Sequence, residues 1–430
     1  MGKTIPETFI VTNVAEFKIK MLNWANQFNI FCFLDNQQYS FDNPSFECVL
    51  ATGCKEKLEI QAGKALASFN NFCASQKGWL FGHVSYDLKN EIEDLTSSNF
   101  DGIGFPILHF FVPEFVVKLN EEKISIFCEG DATAVFNAIS SCPSSIQKTN
   151  KGSLSIQNRL SRNSYIDAIK KLQQHILRGD CYEINFCQEF YAEQAVINPL
   201  YTYHQLAQVS PNPFSAFYKM DNKYCLCASP ERYIKKTGDR IFSQPIKGTS
   251  KRHLQNEALD EKNKQSLLHS EKEKSENVMV VDLVRNDLSK ICKEGTVQVD
   301  ELFGVYSFPQ VHQLISTISG ELKNNISIAD IIKGTFPMGS MTGAPKKRVM
   351  ELIEQHERTK RGLFSGAIGY IDPQGNFDFN VVIRSILYNS TNQYVSIQAG
   401  SAITFYSDAE KEYEECLLKI EAMKKVLESA

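Results

Sequence analysis

The 430-residue chain has no run of about 18 apolar residues, the length that a membrane-spanning helix needs. Its net charge of −4 and isoelectric point near 6.1 show no basic excess, which gives no support to nucleic-acid or anionic-membrane binding. Residues 1–7 lack the basic, apolar and small-residue order of a secretion signal. We therefore expect a cytoplasmic protein without nucleic-acid or membrane partners.

The spacing typical of a zinc site is also missing. Only Cys225 and Cys227 of the 12 cysteines stand close together, with no Cys-x-x-Cys pair and no nearby histidine cluster. This number of cysteines in so long a chain does not indicate a disulfide scaffold. We expect reduced and mostly buried thiols.

What the chain does have is an ordinary globular composition, 43% hydrophobic and 22% charged, with enough length for a large core. Residues 142–158 are rich in Pro, Ser, Asn and Gly and predict a linker between regions 1–145 and 160–425. Strand and helix patterns mix irregularly, so we predict an α+β fold of two packed β-sheets with helices outside. Predicted strands include Tyr182–Tyr191, Phe214–Tyr218, Tyr224–Ala228 and Arg240–Phe242, and predicted helices cover about 256–290, 345–358 and 408–428.

Two Glu-x-x-Glu pairs lie on predicted helices, and their spacing puts each pair on one helix face. Solvated helix faces are rich in glutamate, so either pair alone favours a surface role. If the two helices converged, four carboxylates could hold one Mg²⁺, a hard ion that prefers oxygen ligands. The pairs are Glu273 with Glu276 and Glu412 with Glu415.

Three cationic or polar positions stand in apolar surroundings. Lys247 follows a strand-like run and precedes Gly248; alone it would be a solvated edge residue, whereas in a closed pocket its amine could act as a nucleophile. Arg384 lies in a predicted apolar strand, where a buried arginine needs a partner, for which a bidentate carboxylate is suited. His312 lies in an apolar run, where a core histidine is the usual interpretation.

Seven segments in a fixed order resemble the anthranilate synthase component I family of chorismate-utilising enzymes. The resemblance is strongest over about residues 160–425 and looser before them. It implies a two-sheet fold and chorismate as substrate. The segments are Ser229–Tyr233, Pro245–Thr249, Val281–Leu288, Val311–Thr317, Thr342–Lys346, Phe364–Tyr370 and Glu412–Glu415.

The resemblance also implies roles for single residues. Glu276 and Glu415 match direct Mg²⁺ ligands, and the metal would bind the ring carboxylate. Glu231 matches the general acid for the C4 hydroxyl, which needs a pKa raised by burial or like charge. Glu273 and Glu412 match residues that hold metal-bound waters, and Lys419 points towards the same metal face. Arg384, with backbone amides near Gly400, matches the group that binds the enolpyruvyl carboxylate. His312 and Thr342 match residues that line the substrate ring.

Lys247 separates the branches of the family. Anthranilate synthases, the alternative reading, resemble this chain but carry alanine there, whereas enzymes that form 4-amino-4-deoxychorismate carry lysine. Isochorismate and salicylate synthases use a water-activating lysine at the position of Glu183, which here replaces a usual glutamine. The pattern favours amination of chorismate at C4, for 4-aminobenzoate and folate synthesis. A nucleophilic Lys247 would need a depressed pKa, expected from burial near cations.

Two further expectations concern a partner subunit and an alternative function. No cysteine lies in a Gly-x-Cys-x-Gly elbow, so a separate glutamine amidotransferase subunit is expected to supply ammonia. A non-catalytic chorismate-binding scaffold is the hypothesis from another class. Such a scaffold would be expected to lose the acids or Arg384, and all of them are present.

Overall fold

The structure is a computed structural model that describes residues 6–39, 46–148, 154–308 and 311–428. Part of the predicted linker, residues 149–153, lies outside these ranges. The described residues form two antiparallel sheets with helices around them, which confirms the predicted α+β fold. None of the helices in these ranges is long and apolar enough to cross a membrane. All twelve cysteines are free thiols and most are buried, as expected.

The first sheet runs through both halves of the chain. Its central strands are buried on both faces, as expected from their continuous apolar runs. In spatial order it contains β1 (Glu7–Ile10), β8 (Lys123–Cys128), β7 (Phe115–Asn120), β3 (Cys48–Thr52), β2 (Ile30–Asp35), β11 (Phe214–Met220), β12 (Lys223–Ser229), β21 (Ser385–Asn389), β22 (Tyr394–Ile403), β10 (Glu183–Ala192) and β18 (Gly343–Ala344), with β9 (Gln157–Asn158) beside β10.

The second sheet also combines strands from both predicted regions. Strands from before and after residues 145–160 pair directly in each sheet. The predicted division of the chain into two regions there stays a prediction. In spatial order the sheet contains β15 (Ile246–Lys251), β17 (Val311–Glu321), β14 (Arg240–Gln244), β13 (Arg232–Thr237), β20 (Phe377–Asn380), β19 (Ala367–Ile371), β5 (Leu80–Val84), β6 (Leu108–Val112) and β4 (Glu56–Ile60), with β16 (Gln298–Ser307) beside β17.

The helices cover the outer faces of the sheets. They are α1 (Val14–Ala25), α2 (Ala65–Ser75), α3 (Lys89–Glu93), α4 (Ala132–Ser140), α5 (Arg162–Leu177), α6 (Pro199–Val209), α7 (Glu257–Leu268), α8 (Glu271–Ile291), α9 (Ile328–Thr335), α10 (Lys346–His356) and α11 (Ala409–Glu428). One apolar core joins the two sheets to each other and to α2, α8 and α9. A second core joins the first sheet to α1, α4, α5, α6, α10 and α11.

The single long helix predicted over 256–290 is wrong. The structure has two helices there, α7 and α8, separated by His269 and Ser270. The hydroxyl of Ser270 accepts a hydrogen bond from the amide of Glu273, so it caps α8 in place of a continuing helical turn. The break sets the direction of α8 and places Glu273 in its first turn.

Candidate active site

Lys247 lies in the irregular part of β15, where the pairing with β17 shifts between Ile246 and Thr249. Its Nζ donates a hydrogen bond to Oε1 of Glu183 at 3.0 Å. Only 10% and 4% of the two side chains are exposed. Lys247 is therefore part of a nearly buried ion pair and not a solvated edge residue.

Two glycines allow the backbone of this site to approach its neighbours closely. Gly248 has φ +86°, and a Cβ there would lie 2.9 Å from Oε2 of Glu273. Gly343 has φ +150°, and a Cβ there would lie 2.0 Å from the carbonyl oxygen of Glu183. Glycine adopts positive φ without a side-chain clash, so these positions bring β15 against α8 and β18 against β10.

The environment of Lys247 raises the pKa of its ammonium group. Burial lowers this pKa, but the neighbouring carboxylates outweigh burial, Glu183 first and then Glu276 and Glu231. The expected depressed pKa is therefore wrong, because the lysine is surrounded by carboxylates and not by cations. An uncharged amine at Lys247 requires a proton acceptor close by, and Glu183 is in hydrogen-bond contact.

Glu231 follows β12 and is buried, with 5% of the residue exposed. Burial raises the pKa of its carboxyl group to about 7, against the opposing effects of the Ser340 hydrogen bond and the Lys247 charge. The Ser340 hydroxyl donates to Oε1 of Glu231 at 2.6 Å. This confirms that Glu231 has the raised pKa that a proton donor near neutral pH needs.

A buried ion pair behind the site fixes both Glu183 and the Ser340 loop. Arg361 donates to Oε1 of Glu357 at 2.7 Å, and the same oxygen accepts from the amide of Cys187 on β10. Arg361 also donates to the carbonyl oxygens of Met341 and Asn185, at 2.6 and 2.7 Å. These bonds hold the strand that begins with Glu183 against the loop that carries Ser340.

The two acidic helices converge. Nζ of Lys272 on α8 lies 3.8 Å from Oε1 of Glu276 on the same helix and 3.5 Å from Oε1 of Glu412 on α11. Burial lowers the pKa of Lys272, but Glu412, Glu276, Glu415 and Glu273 together raise it. All four predicted glutamates therefore act on a single ammonium group.

The carboxylates of this cluster differ in their titration. Burial raises the pKa of Glu276 to about 7 and also raises the pKa of Glu273. Burial acts in the same direction on Glu415, but the ammonium group of Lys419 at 2.7 Å holds the pKa of Glu415 below its ordinary value. Burial thus disfavours the charged forms of Glu273 and Glu276, and an additional cation beside them would stabilise those forms.

The donor chemistry of the cluster fits a hard divalent cation, since carboxylate oxygens are the ligands that Mg²⁺ prefers. As they stand, no three His, Cys, Asp or Glu groups among the described residues are positioned to hold a metal ion. The ammonium of Lys272 lies between the two helices instead. The structure therefore brings Glu276 and Glu412 to one ammonium group, and the Mg²⁺ and its ligands stay a proposal.

Arg384 and Lys419 form the cationic side of the site. Arg384 precedes β21, with φ +53°, and does not lie within a strand as its sequence suggested. Its Nη1 donates to the carbonyl oxygen of Lys419 at 3.0 Å, and no carboxylate among the described residues is within ion-pair distance of its guanidinium. Lys419 donates to the carbonyl oxygen of Gly400 at 2.7 Å. A guanidinium held this way can bind an anionic ligand by donating hydrogen bonds to it.

His312 and Thr342 are held by the protein. The His312 nitrogens lie 2.8 Å from Oγ of Ser307 and 3.3 Å from Oδ1 of Asp260, and 1% of the residue is exposed. Thr342 is fully buried and donates to the carbonyl oxygen of Met338 at 3.1 Å. These contacts support structural roles, and the predicted contact of both residues with a substrate ring stays a prediction.

Sequence reasoning missed three residues that shape the site. Glu183 was considered as the position of a missing water-activating lysine and as a departure from glutamine, but not as the partner of Lys247. Ser340, two residues before the Thr342–Lys346 segment, was given no role, although its hydroxyl donates to Glu231. Lys272 could have been found from its spacing, since it lies four residues before Glu276 and next to Glu273.

The fold is that of the chorismate-utilising enzymes. Anthranilate synthase component I from Streptococcus pneumoniae superimposes with a TM-score of 0.77 at 26% identity, covering 90% of this chain and 94% of that one. The menaquinone-specific isochorismate synthase of Escherichia coli superimposes with a TM-score of 0.75 at 16% identity, covering 99% of this chain and 96% of that one. The second likeness shows the fold alone.

Sequence comparison defines the family. The chorismate binding enzyme family matches residues 30–425, and the chain belongs to that family. Aminodeoxychorismate synthase component 1 of Escherichia coli is 33% identical over 354 residues, 82% of this chain and 77% of the relative. An anthranilate synthase component I-like protein of Synechocystis is 34% identical over 356 residues, 82% of this chain and 73% of the relative.

Proposed function

We propose that this chain aminates chorismate at C4, as an aminodeoxychorismate synthase component I, and so provides 4-amino-4-deoxychorismate for 4-aminobenzoate and folate synthesis. The observation that carries the proposal is the nearly buried Lys247, held at 3.0 Å by Glu183. Alanine, the residue of the anthranilate branch at this position, could not form a bond to the substrate. The names of several relatives support the same reaction.

The reaction is a double displacement. The proton of Lys247 passes to Glu183, the free amine attacks C2, and the ring double bonds shift towards C4. The C4–O bond breaks, and the hydroxyl leaves as water with the proton of Glu231, whose pKa of about 7 keeps that proton available. Ammonia then adds at C4, the double bonds shift back, and the lysine leaves C2 with its bonding electron pair. Lys247 recovers its proton from Glu183, and Glu231 takes one from the new ammonium group.

The acidic helices would hold Mg²⁺, with Glu276 and Glu415 as direct ligands and Glu273 and Glu412 on metal-bound waters. When bound, the ion would supply positive charge at the ring carboxylate of chorismate. Arg384, which has no carboxylate partner among the described residues, would bind the enolpyruvyl carboxylate together with amides near Gly400. The support is that Lys272 contacts both Glu276 and Glu412 and that all four carboxylates raise the pKa of its ammonium group.

The deciding assay combines the purified chain with chorismate, ammonium and Mg²⁺ and separates the products by chromatography. We expect 4-amino-4-deoxychorismate. Lys247→Ala should lose this product and can retain anthranilate-like chemistry, while Lys251→Ala, on the exposed end of the same strand, should behave as the parent chain. Anthranilate as the main product of the parent, or an undiminished rate in Lys247→Ala, would contradict the proposal. No product at all would favour the non-catalytic scaffold.

We also propose that ammonia comes from a separate glutamine amidotransferase subunit and that the chain works in the cytoplasm. The term component 1 in the relatives' names supports the first point, and twelve free thiols support the second. The purified chain should therefore use ammonium but not glutamine as its nitrogen source. Product formed from glutamine by the chain alone would contradict the separate subunit.

A further inference from the structure

Lys346 is a buried lysine at the first residue of α10, where neither burial nor position favours a positive charge. Only 13% of its side chain is exposed, and burial lowers the pKa of its ammonium group against the effect of Asp287. The N-terminus of a helix carries a partial positive charge, which repels a cation. An apolar residue would avoid both costs, so the reason for a lysine here lies in the contacts that its ammonium group makes.

The ammonium group of Lys346 connects three helices. Its Nζ donates to Oδ2 of Asp287 on α8 at 2.5 Å and lies 3.4 Å from the carbonyl oxygen of Thr335 at the end of α9. Lys290 donates to Oδ1 of Asp287 at 3.0 Å, and Glu93 of α3 is a further charged group that acts on Lys346. A buried ion pair adds little net stability, and its best attested use is to fix one element in register with another.

The element that Lys346 ends is the loop that carries Ser340, six residues earlier. On one side of this loop, Asn185 of β10 donates to the carbonyl oxygen of Ser340 at 2.9 Å. On the other side the loop lies against α8, since a Cβ added to Gly339 would be 2.9 Å from Cβ of Leu283. Leu283 precedes the partner of Lys346 by one helical turn, so the close contact and the ion pair anchor the loop to the same part of α8.

We propose that Asp287 and Lys346 are positioning residues for the general acid, because their ion pair holds the Ser340 hydroxyl on Glu231. This inference rests on the proposed function, in which Glu231 is the acid. The Ser340 hydroxyl and the Lys247 ammonium both act on the Glu231 carboxyl group, and the hydroxyl lies only 2.6 Å from Oε1. Without the ion pair the loop loses its charged anchor on α8, and the hydroxyl moves off the carboxyl group.

Lys346→Met tests this role, since it removes the ammonium group and leaves a side chain of similar length. Asp287 keeps Lys290 as its partner, so no buried charge is left alone. The displaced hydroxyl no longer stabilises the ionised form of Glu231, so the pKa of Glu231 should rise by about one unit. Carbon-13 NMR of glutamate-labelled protein measures this titration, and Glu231→Gln assigns the signal. Lys347→Met, at the exposed next residue, is the control and should leave the titration in place.

The same shift should appear in the reaction. The loss of kcat/KM at alkaline pH should move upwards by about one pH unit in Lys346→Met, as the titration does, and stay in place in Lys347→Met. A merely structural pair would lower the rate at every pH without moving this limb of the profile.

Ser340→Ala separates positioning from a direct effect of charge. In the Ser340→Ala chain the hydroxyl is already gone, so adding Lys346→Met should cause no further shift in the pKa of Glu231. A further shift there would show that the Lys346 charge acts on Glu231 directly, and it would overturn the proposal. An unchanged Glu231 titration in folded Lys346→Met would overturn it as well. Circular dichroism and thermal unfolding establish the fold.

A second variant weakens the pair from α8. Asp287→Asn keeps the size of the side chain and removes its charge, so it should raise the pKa of Glu231 in the same direction by a smaller amount. It decides the question if Lys346→Met does not fold, because an unchanged titration would then overturn the proposal. If the parent chain forms no 4-amino-4-deoxychorismate, the proposed function fails, while the NMR titration still tests whether the ion pair positions Ser340.

Discussion

Nζ of Lys272 on α8 lies 3.5 Å from Oε1 of Glu412 on α11, so one ammonium group connects the two acidic helices. The same group is 3.8 Å from Glu276, and its pKa is raised by all four glutamates of the cluster against the effect of burial. Its side chain is 55% exposed, which leaves room for it to move towards solvent. Lys272 and the proposed Mg²⁺ would therefore compete for the same carboxylates.

Lys272→Ala should show whether the lysine ammonium and Mg²⁺ compete for the carboxylates. Without metal, the variant should lose about 1 kcal/mol of stability, because the carboxylates lose their compensating charge. Added Mg²⁺ should then raise its melting temperature more than it raises that of the parent. Thermal unfolding with and without Mg²⁺ measures both effects. Lys262→Ala, which removes an exposed charge from α7, is the control, and equal Mg²⁺ responses in Lys272→Ala and the parent would refute the competition.

Glu276→Gln should have the opposite effect in the absence of metal. Burial raises the pKa of Glu276 to about 7. A carboxyl raised in this way costs stability progressively as the pH rises from its unfolded value of about 4.3 through the folded value. The amide removes this cost, so the metal-free variant should gain about 2 kcal/mol at neutral pH, near the upper end of that window.

The same variant should lose most of the Mg²⁺-induced rise in melting temperature, because it loses a proposed direct ligand. Glu271→Gln, at an exposed position of the first turn of α8, should retain that rise. A full Mg²⁺ response in Glu276→Gln would exclude Glu276 as a ligand.

Ser340→Ala should shift the pH dependence of the reaction. The Ser340 hydroxyl stabilises the ionised form of Glu231 and so lowers its pKa; removing that hydroxyl should raise the pKa above the present value of about 7. The loss of kcat/KM as Glu231 gives up its proton should then occur at higher pH. Rate profiles from acid to alkaline pH measure this shift. Ser289→Ala on α8 should leave the profile in place, and a shift of Ser340→Ala to lower pH would show that Glu231 is not the acid.

The two sheets and the acidic pairs could be predicted from the sequence, but the contacts between distant segments could not. Apolar runs and helical spacing depend on local side chains, and they located β10, β11, β12 and α11 closely. The pairing of Lys247 with Glu183 depends on how two sheets pack, which no local pattern encodes. The pKa of Lys247 was mistaken for the same reason, since its sign depends on whether carboxylates or cations come near in space. The break at Ser270 was missed because a capping serine looks like any polar helix residue.

Gly248→Ala should disturb Lys247 through the backbone. The position has φ +86°, and an added Cβ would lie 2.9 Å from Oε2 of Glu273 and 3.0 Å from Cδ1 of Leu267. Gly238, with φ +59° and no atom within 4 Å of an added Cβ, is the matched control, because alanine there meets backbone strain alone. We expect Gly238→Ala to cost about 1 kcal/mol and Gly248→Ala clearly more, measured by urea unfolding. Only Gly248→Ala should also lower kcat, since it moves the strand that carries Lys247 away from α8. Equal costs in the two variants, with activity kept in both, would show that the contact between β15 and Glu273 does not position the lysine.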